Sequence, residues 1–284
     1  MDLTRLFYSF SWVIFFFLMA LCIKENGYSL PLSLIVFGRA AVTTVMLFAL
    51  MIRQKKTFKS KNIKLLSFRC IVGTISMWLT FYAVTMITFA ESSILRQSAP
   101  LWVSLVAWLK LKEQMSGIQR GLMVLGFLSV FLIFYPKLGG LHPGMFAALG
   151  GGMLSAFAYS AIRALKEYDD SMLIAFYFAL SCTISAAPFF SEWDLSALTA
   201  KHMILLILSG FFGGVAQLWM TKAYHLFPAG YVSAFNYSSS IFSASAGFFI
   251  YNENLEPIAW LGGAMLIAIG VVFYNLKMPT DKLS

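Results

Sequence analysis

Charged residues are scarce in this chain of 284 residues, and their scarcity excludes a soluble globular domain. Only 12% of the residues are charged whereas 60% are hydrophobic, with 28 Phe and 15 Met in the chain. Soluble domains carry about 25% charged residues. The composition therefore predicts a polytopic helical membrane protein embedded in a lipid bilayer.

Signatures of catalysis and of metal binding are missing as well. The three histidines lie far apart, and no HExxH, GxSxG or Walker-type glycine loop occurs. The three cysteines lack CxxC and Cys/His spacing and are interpreted as small core residues; they are Cys22, Cys70 and Cys182. We therefore expect no enzyme activity, no metal and no other cofactor. The missing nucleotide-binding domain favours transport driven by a gradient of an ion or of the substrate.

Long apolar stretches fill nearly the whole chain. A helix needs about 20 apolar residues to cross a bilayer, and ten stretches qualify. They are Leu6–Ile23, Pro31–Ile52, Leu65–Met86, Thr88–Trp108, Gly117–Tyr135, Pro143–Ala164, Ser171–Phe190, Met203–Tyr224, Pro228–Ile250 and Leu255–Leu276. Two small-residue spacings, Gly117-x-x-x-Gly121 and Gly210-x-x-x-Gly214, predict close helix packing. The prediction is a bundle of ten transmembrane helices without a soluble domain.

The net charge of +9 is explained by where the basic residues fall. With a cytoplasmic N-terminus, most of the 21 Lys and Arg lie in cytoplasmic connections, and only Lys24, Lys137 and Lys201 lie outside. Cytoplasmic loops of membrane proteins carry an excess of positive residues. The asymmetry predicts that both termini are cytoplasmic, and it explains the basicity without a nucleic-acid partner.

The two halves of the chain resemble each other at an offset of 140 residues. Ser93 falls on Ser233 and Glu113 on Glu253 in a gap-free register. Five helices per half is an odd number, so the second copy enters the bilayer with the opposite orientation, as in alternating-access transporters. The predicted units are a first five-helix repeat over residues 1–136, a linker over 137–142 and a second, inverted repeat over 143–277.

Polar groups concentrate in the fourth predicted helix, TFAESSILRQSAPLWVSLVAW. Its Arg96 and the second-helix Arg39 lie at a similar depth, about 12 Å from the outer ends of their helices at 1.5 Å per residue. Such arginines are costly unless they face water, an acid or an anion. Glu91 is the acidic residue best placed to answer them. Because five residues along a helix separate side chains by about 140°, we expect Glu91 to pair with Arg39 and Arg96 to face a cavity.

Three interpretations of these charges stay open. Arg39, Arg96 and Glu91 form a salt-bridge network that only holds helices together, or Arg96 binds a carboxylate or phosphate of a substrate, or the arginines snorkel to the outer surface. Arg69, near the cytoplasmic start of the third helix, is interpreted as a gate or anion contact, or as a snorkelling residue. Glu91 is the candidate for a protonation switch if transport is coupled to H⁺.

The substrate path is expected between the third, fourth, eighth and ninth helices. The ninth helix is rich in neutral hydrogen-bonding groups, with Asn236 in the register of Arg96. The third and eighth helices add aromatic rings able to stack on a ligand. The predicted substrate contacts are Arg96, Ser93, Gln97, Asn236, Tyr237, Ser240, Trp78, Tyr82 and Trp219. Glu91, Arg39 and Arg69 are predicted to support or couple this site.

Five segments carry a resemblance to a known family. They are FGRAAVTT around Arg39, FRCIVGTISMWLTFYAV, TFAESSILRQSAPLWVSLVAW, LKEQMSGIQRGLMVLGFLSV, and the second-half counterpart AYHLFPAGYVSAFNYSSSIFSASAGFFIYNENLEPIAWLGGAMLIAIGVV. Together they resemble the EamA type of the drug/metabolite transporter superfamily, in which ten helices form two inverted repeats with cytoplasmic termini. Within this resemblance Glu113 and Glu253 are interpreted as structural cap positions.

The resemblance implies a transporter that moves a small metabolite, commonly an amino acid or a related amino-acid-derived or nucleoside-type compound, across a bacterial inner membrane by H⁺ coupling or exchange. The paired arginines and third-helix aromatics are similar to bacterial S-adenosylmethionine carriers, so this compound or another nucleotide-type solute is the alternative substrate. The alternatives of another class are a membrane-embedded enzyme and a non-transporting assembly subunit. The chain is expected to act as a monomer or homodimer.

Overall fold

The computed structural model describes residues 3–96, 98–99, 101–102, 105, 116–134, 141–226, 232, 236–253 and 256–275. These residues form ten α-helices and no β-strand, which confirms the predicted all-α class. The helices are α1 (Leu3–Gly27), α2 (Leu32–Arg53), α3 (Ile63–Met86), α4 (Phe89–Arg96), α5 (Gly117–Phe134), α6 (Pro143–Leu165), α7 (Ser171–Ala186), α8 (Ala200–Leu226), α9 (Asn236–Tyr251) and α10 (Pro257–Asn275). Two 3-10 turns, Ala187–Glu192 and Leu195–Ala197, follow α7.

Five described helices are long and apolar enough to cross a membrane. They are α2, α3, α6, α8, and α7 together with the 3-10 turn that continues it to Glu192. The shorter described helices include apolar segments of α5, α9 and α10. The other predicted crossings remain predictions.

The helix starts follow local hydrogen bonding. The Asn62 side chain accepts from the third amide of α3, and Asp170 accepts from the Met172 amide at the start of α7. Side-chain acceptors at these positions satisfy amides that lack a partner in the first turn. At α6, Pro143 occupies the first position, where a missing N–H costs no hydrogen bond.

The fourth helix is shorter than its apolar stretch. α4 ends at Arg96, and Ser98 lies in a turn, with the Leu101 amide donating to the Ser98 carbonyl at 2.9 Å. The described residues that follow are helical again; they are Ala99, Leu101, Trp102 and Leu105. Pro100, the residue expected to break this helix, lies outside the described residues. Proline has no N–H, so Pro100 cannot donate a helical hydrogen bond to the carbonyl of Arg96, four residues earlier. The last residue of α4 is therefore the one that loses this bond.

The two halves of the chain, α1–α5 and α6–α10, are packed against each other along most of their length. The most extensive pairs join α3 with α6, α1 with α8, α2 with α7 and α8, α5 with α10, and α4 with α9. The largest core cluster draws on both halves and includes Trp12, Phe81, Phe89 and Tyr224. The core therefore lies at the interface between the halves.

Small residues allow one of these contacts to be very close. A Cβ atom on Gly210 of α8 would lie 2.8 Å from the Arg39 carbonyl oxygen, and Thr43 of α2 donates to the Gly210 carbonyl at 2.7 Å. The packing predicted for the second small-residue spacing is confirmed here. No described atom lies within 4 Å of a Cβ built on Gly117 or Gly121, so the first spacing shows no such contact within the described part of the chain.

A charged contact joins the halves at one end of the interface. The Lys24 ammonium of α1 donates to the Ile87 carbonyl at 2.7 Å and lies 3.4 Å from Oε1 of Glu253, in the α9–α10 connection. Both carboxylate oxygens of Glu253 accept from the Phe89 amide, at 2.9 and 2.7 Å. Because Phe89 begins α4, this carboxylate caps a helix of the other half. We call this arrangement the Lys24–Glu253 latch; Glu113 lies outside the described residues.

Candidate functional site

A cavity of about 80 Å³ lies at the centre of the interface between the two halves. Its walls come from α1 to α4 of the first half and from α6, α7 and α8 of the second. Three arginines border it, Arg39 of α2, Arg69 of α3 and Arg96 at the end of α4. The structure thus brings together the three arginines that the sequence places inside apolar stretches.

Arg39 is held between α3 and α8. The side chain is 2% exposed, one terminal nitrogen donates to Met77 Sδ at 3.2 Å, and the guanidinium lies 5.7 Å from the centre of the Phe81 ring. Its Nε has no hydrogen-bond partner among the described residues. A Cβ on Gly213 would lie 2.8 Å from that Nε, so glycine on α8 makes room for the guanidinium.

Arg69 is equally buried, at 2% exposure, and its guanidinium carbon lies 4.2 Å from the centre of the Phe178 ring. Its Nε and Nη1 are buried without a hydrogen-bond partner in the described part of the structure. Gly73, one turn further along α3, makes room for this side chain, because a Cβ there would overlap Nη1. The interpretation of Arg69 as a snorkelling residue is wrong; the side chain turns into the interface.

The positive charge of the cavity has little to balance it. No acidic side chain is among the described residues that line the cavity. The faces of Phe81 and Phe178 contribute about 0.5–2 kcal/mol each, whereas removing an ion from water costs several kcal/mol. Guanidinium groups do not lose their proton in proteins. The cavity is therefore a site of net positive charge, suited to an anion.

The remaining walls are neutral. Ser76 donates to the Gly151 carbonyl at 2.8 Å and shares a hydrogen bond of 2.8 Å with Ser155, and Gln217 borders the same space. Apolar and aromatic side chains complete the walls, namely Phe16, Met19, Met77, Phe81, Ala158, Tyr159, Phe178 and Met220. The site can hold charged groups at its arginines and an organic body against these rings and thioethers.

The predicted aromatic contacts do not border this cavity. Trp78 donates to the Ser185 hydroxyl at 2.9 Å, Tyr82 packs on a neighbouring core cluster, and Trp219 meets Phe15 edge to face at 5.3 Å. Helix periodicity explains the difference. The cavity residues of α3 recur at spacings of three and four, and a residue two positions away projects from the other side of a helix. Trp78 and Tyr82 each stand two positions beyond a lining residue, as does Trp219 beyond Gln217.

The polar contacts predicted around Arg96 are only partly described. Ser93 is buried in α4 away from the cavity lining, and its hydroxyl has no partner among the described residues. Gln97 lies outside the described residues. The side chains of three further predicted contacts also lie outside them, although their backbones belong to α9; these are Asn236, Tyr237 and Ser240.

The ion pair expected between Glu91 and Arg39 is not found among the contacts of the described residues. Arg39 reaches α3 and α8, where its hydrogen bond goes to Met77. Glu91 is buried in the first turn of α4, a helix that packs mainly against α6 and α9. The predicted network of Arg39, Arg96 and Glu91 is likewise not found among the contacts of the described residues, and it stays a prediction.

A larger groove of about 420 Å³ lies between α4, α9 and α10. Its walls are apolar except for Ser245, and several of them, including Phe249 and Trp260, are exposed. An apolar surface of this kind on a membrane helix is suited to acyl chains. The charges that would select a polar metabolite lie at the smaller central cavity.

Several lining residues were missed by the sequence reasoning. Gly213 and Gly73 lie beside the guanidiniums, and Tyr159 and Phe178 come from helices that were assigned no role in the site. A signal was present for Gly213, which stands within the small-residue spacing of α8. Tyr159 and Phe178 have no local signature, because only the packing of the two halves brings them to the arginines.

Known proteins resemble this chain over its whole length. The model of the EamA-like transporter family matches residues 1–135 and again 142–276. The pseudopaline exporter CntI of Pseudomonas aeruginosa is 25% identical over 264 residues, covering 92% of this chain and 93% of the exporter. The S-adenosylmethionine uptake transporter of Rickettsia bellii is 24% identical over 207 residues, covering 71% and 69%. A solved crystal structure shares the fold with a TM-score of 0.70 at 12% identity, covering 96% of both chains. The chain belongs to the EamA-like transporter family.

Proposed function

We propose that this protein is a secondary active transporter that moves a small metabolite, an amino acid or a related amino-acid-derived or nucleoside-type compound, across a bacterial inner membrane by alternating access. The central cavity carries this proposal, because buried arginines of the first half face walls of the second half there. Transporters of this kind bind substrate between their two halves. Similar proteins named as an exporter and an uptake transporter support it.

The transport cycle rests on two inverted five-helix repeats, over residues 1–136 and 143–277, joined by the linker 137–142. Two matches of one family model support this division. The contacts between helices support it too. When each helix is replaced by its counterpart in the other half, five helices along the chain, the α1–α8 contact becomes the α6–α3 contact, which is also present. The same replacement leaves the contacts α2–α7, α4–α9 and α5–α10 unchanged. Such an exchange lets one half rock against the other around a fixed site.

The Lys24–Glu253 latch closes the cavity on one side in this proposal. With cytoplasmic termini, the latch faces the outside, because Lys24 ends α1. Lys24 and Phe89 belong to the first half and Glu253 to the second. Opening to the outside separates the halves there and breaks the latch.

Arg96 faces the path in this proposal, with Asn236 and Tyr237 opposite, while Gln97 and Ser240 complete the polar surface in other states of the cycle. Glu91 is the proton-binding group if transport is coupled to H⁺. In that case Glu91→Gln abolishes uptake driven by a pH gradient while leaving exchange of substrate for substrate intact. A variant that keeps its response to the gradient would remove Glu91 from coupling.

Counterflow in liposomes tests the proposal. Purified protein is reconstituted in liposomes loaded with an unlabelled amino acid, nucleoside, nucleotide or S-adenosylmethionine, and the matching labelled solute is added outside at trace concentration. We expect transient accumulation of one label, and Arg96→Gln should raise its KM or lower its maximal rate. Arg53→Gln, at the exposed end of α2, serves as the matched control. No accumulation with any solute class would contradict transport of such metabolites, and unchanged kinetics in Arg96→Gln would exclude Arg96.

S-adenosylmethionine or another nucleotide-type exchange substrate is the second candidate, favoured by the similarity to the Rickettsia bellii transporter. The same counterflow panel separates it from amino acids. Against a metal-dependent membrane-embedded enzyme stands the absence, in the described residues, of any group of three or more His, Cys, Asp or Glu side chains that could hold a metal ion. A non-transporting assembly subunit would not need the charged cavity.

The protein acts as a monomer or a homodimer in this proposal, and light scattering in detergent measures which.

A further inference from the structure

We propose that the substrate of the central cavity carries at least two negative charges, on carboxylate or phosphate groups, which bind between Arg39, Arg69 and Arg96. This inference rests on the proposed transport function and names the chemical class of its substrate. Three guanidiniums border one small cavity, and none of the described lining side chains is acidic. Because arginine stays protonated, a bound anion would balance this charge.

The geometry of the guanidiniums points to a ligand rather than to a structural tie. The Nε of Arg39, and the Nε and Nη1 of Arg69, are buried without a hydrogen-bond partner in the described part of the chain. A structural arginine inside a membrane protein pairs with an acid or with backbone carbonyls. Arg39 instead donates to a thioether, which is a weak acceptor. These unused donors can bind the oxygens of a carboxylate or phosphate in charge-assisted hydrogen bonds.

The backbone is shaped around these side chains. Glycine stands at Gly73 beside Arg69 and at Gly213 beside Arg39, and a Cβ at either position would collide with the guanidinium. The guanidinium carbons lie 4.2 Å from the centre of the Phe178 ring for Arg69 and 5.7 Å from the centre of the Phe81 ring for Arg39. Packing of this kind holds the donors in place before the ligand arrives, which lowers the cost of binding.

The size of the cavity indicates how the anion fits the transport cycle. Small-molecule sites usually enclose about 300–1,000 Å³, whereas this cavity measures about 80 Å³. It holds one small anionic group in this conformation and must widen to hold a whole metabolite. The arginines belong to the first half and Tyr159, Phe178 and Gln217 to the second. An anion bound at the arginines with its organic body against the second half would join the two halves.

Matched ligands that differ in charge test this inference. The full chain in nanodiscs at low salt is titrated with citrate, AMP and inorganic phosphate, and with the uncharged partners trimethyl citrate and adenosine. Binding is measured by calorimetry and by the rise in the unfolding temperature, which grows with the logarithm of ligand concentration. We expect citrate or AMP to bind and raise that temperature, and the uncharged partners to have no effect. Citrate against AMP distinguishes carboxylate from phosphate chemistry.

Two variants tie the effect to the cavity. Arg69→Gln should weaken binding of citrate or AMP by about ten- to a hundred-fold, the loss expected for a charged hydrogen bond. Gly73→Ala should weaken it as well while keeping every charge, because the added methyl displaces Arg69. Arg53→Gln removes an exposed arginine outside the cavity and should leave the affinity unchanged. If Arg69→Gln does not fold, its unfolding profile without ligand shows this. The binding measured with Gly73→Ala then decides the outcome.

The outcomes separate this inference from the proposed function. Equal binding of adenosine and AMP, no binding by any of the three anions, or unchanged anion binding in both cavity variants would overturn the anionic site. Counterflow of a neutral or cationic solute would leave transport standing and refute the anionic substrate. Arginine-dependent binding of citrate or AMP without counterflow of any anion would support the site and contradict transport.

Discussion

Replacing Glu253 by glutamine removes one charge from the Lys24–Glu253 latch while nearly preserving its shape. The glutamine oxygen can still accept from the Phe89 amide, but the Lys24 ammonium loses its counter-ion and keeps only the Ile87 carbonyl at 2.7 Å. The two side chains are 6% and 11% exposed. Removing one partner of a buried pair costs about 3–5 kcal/mol. We expect about 3 kcal/mol, the lower end, since the carbonyl remains.

The pair itself is measured by a double-mutant cycle. Lys24→Met leaves the Glu253 carboxylate its two bonds to the Phe89 amide and the N-terminus of α4, so about 2 kcal/mol should be lost. The double variant leaves no buried charge behind and should also lose only about 2 kcal/mol, less than the sum of the singles by about 3 kcal/mol. The free energy of unfolding is measured in mixed micelles with a rising fraction of denaturing detergent.

A fluorescent thiol reagent reports the unfolding, because Cys22, Cys70 and Cys182 are free and buried. The control is Lys201→Met, which removes the ion pair of 3.3 Å with Glu25, whose side chains are 70% and 34% exposed. Exposed pairs contribute about 0–1 kcal/mol, so this variant should unfold like the wild type. Additive losses in the cycle would refute the reasoning, since they would show that Lys24 and Glu253 do not stabilise each other.

Two further predictions concern other contacts. Gly213→Ala places a methyl 2.8 Å from Nε of Arg39, so the free energy of unfolding in mixed micelles should fall by about 1–3 kcal/mol; no loss would show that Arg39 moves aside freely. At the start of α7, burial pushes the pKa of Asp170 up, but the Lys56 and Met172 hydrogen bonds and the Lys56 charge outweigh it and hold the pKa below its ordinary value of 3.8. Its ionised form therefore stabilises the fold above about pH 4 and ceases to do so as the pH falls through the lowered pKa. In unfolding titrations from pH 7 to pH 3, the small stability deficit of Asp170→Asn should shrink with falling pH, and a deficit that grows would contradict the assignment.

Part of the arginine site could be predicted from the sequence. A charged side chain in an apolar stretch is conspicuous because lipid cannot solvate it, so Arg39, Arg69 and Arg96 could be selected by position alone. Their convergence on one cavity could not. The sequence does not contain the geometry of the loops that join their helices. The predicted pairing of Arg39 with Glu91 used only their depth in the bilayer, whereas a contact also depends on how each helix is rotated about its axis.

The aromatic residues predicted as substrate contacts lie outside the lining of the cavity for a related reason. A Trp or Tyr on a membrane helix has several favourable environments, and hydropathy does not distinguish the face toward the cavity from the face toward a neighbour. Trp78 donates a hydrogen bond to the Ser185 hydroxyl, and the Phe178 ring packs against the guanidinium of Arg69. Both choices depend on how α3 meets α7.

The sequence by itself determined the helical membrane class, because continuous apolar stretches of about 20 residues match the length of a helix that crosses lipid with every backbone group satisfied internally. It also identified the charged residues that lie inside apolar spans, each of which requires a partner in lipid. Only the tertiary structure decided the partners. Packing of the two halves brought three arginines together beside Gly73 and Gly213 and carried Glu253 to the first turn of α4. Side-chain contacts between distant helices depend on rotation and tilt, and these are set by packing across the whole bundle.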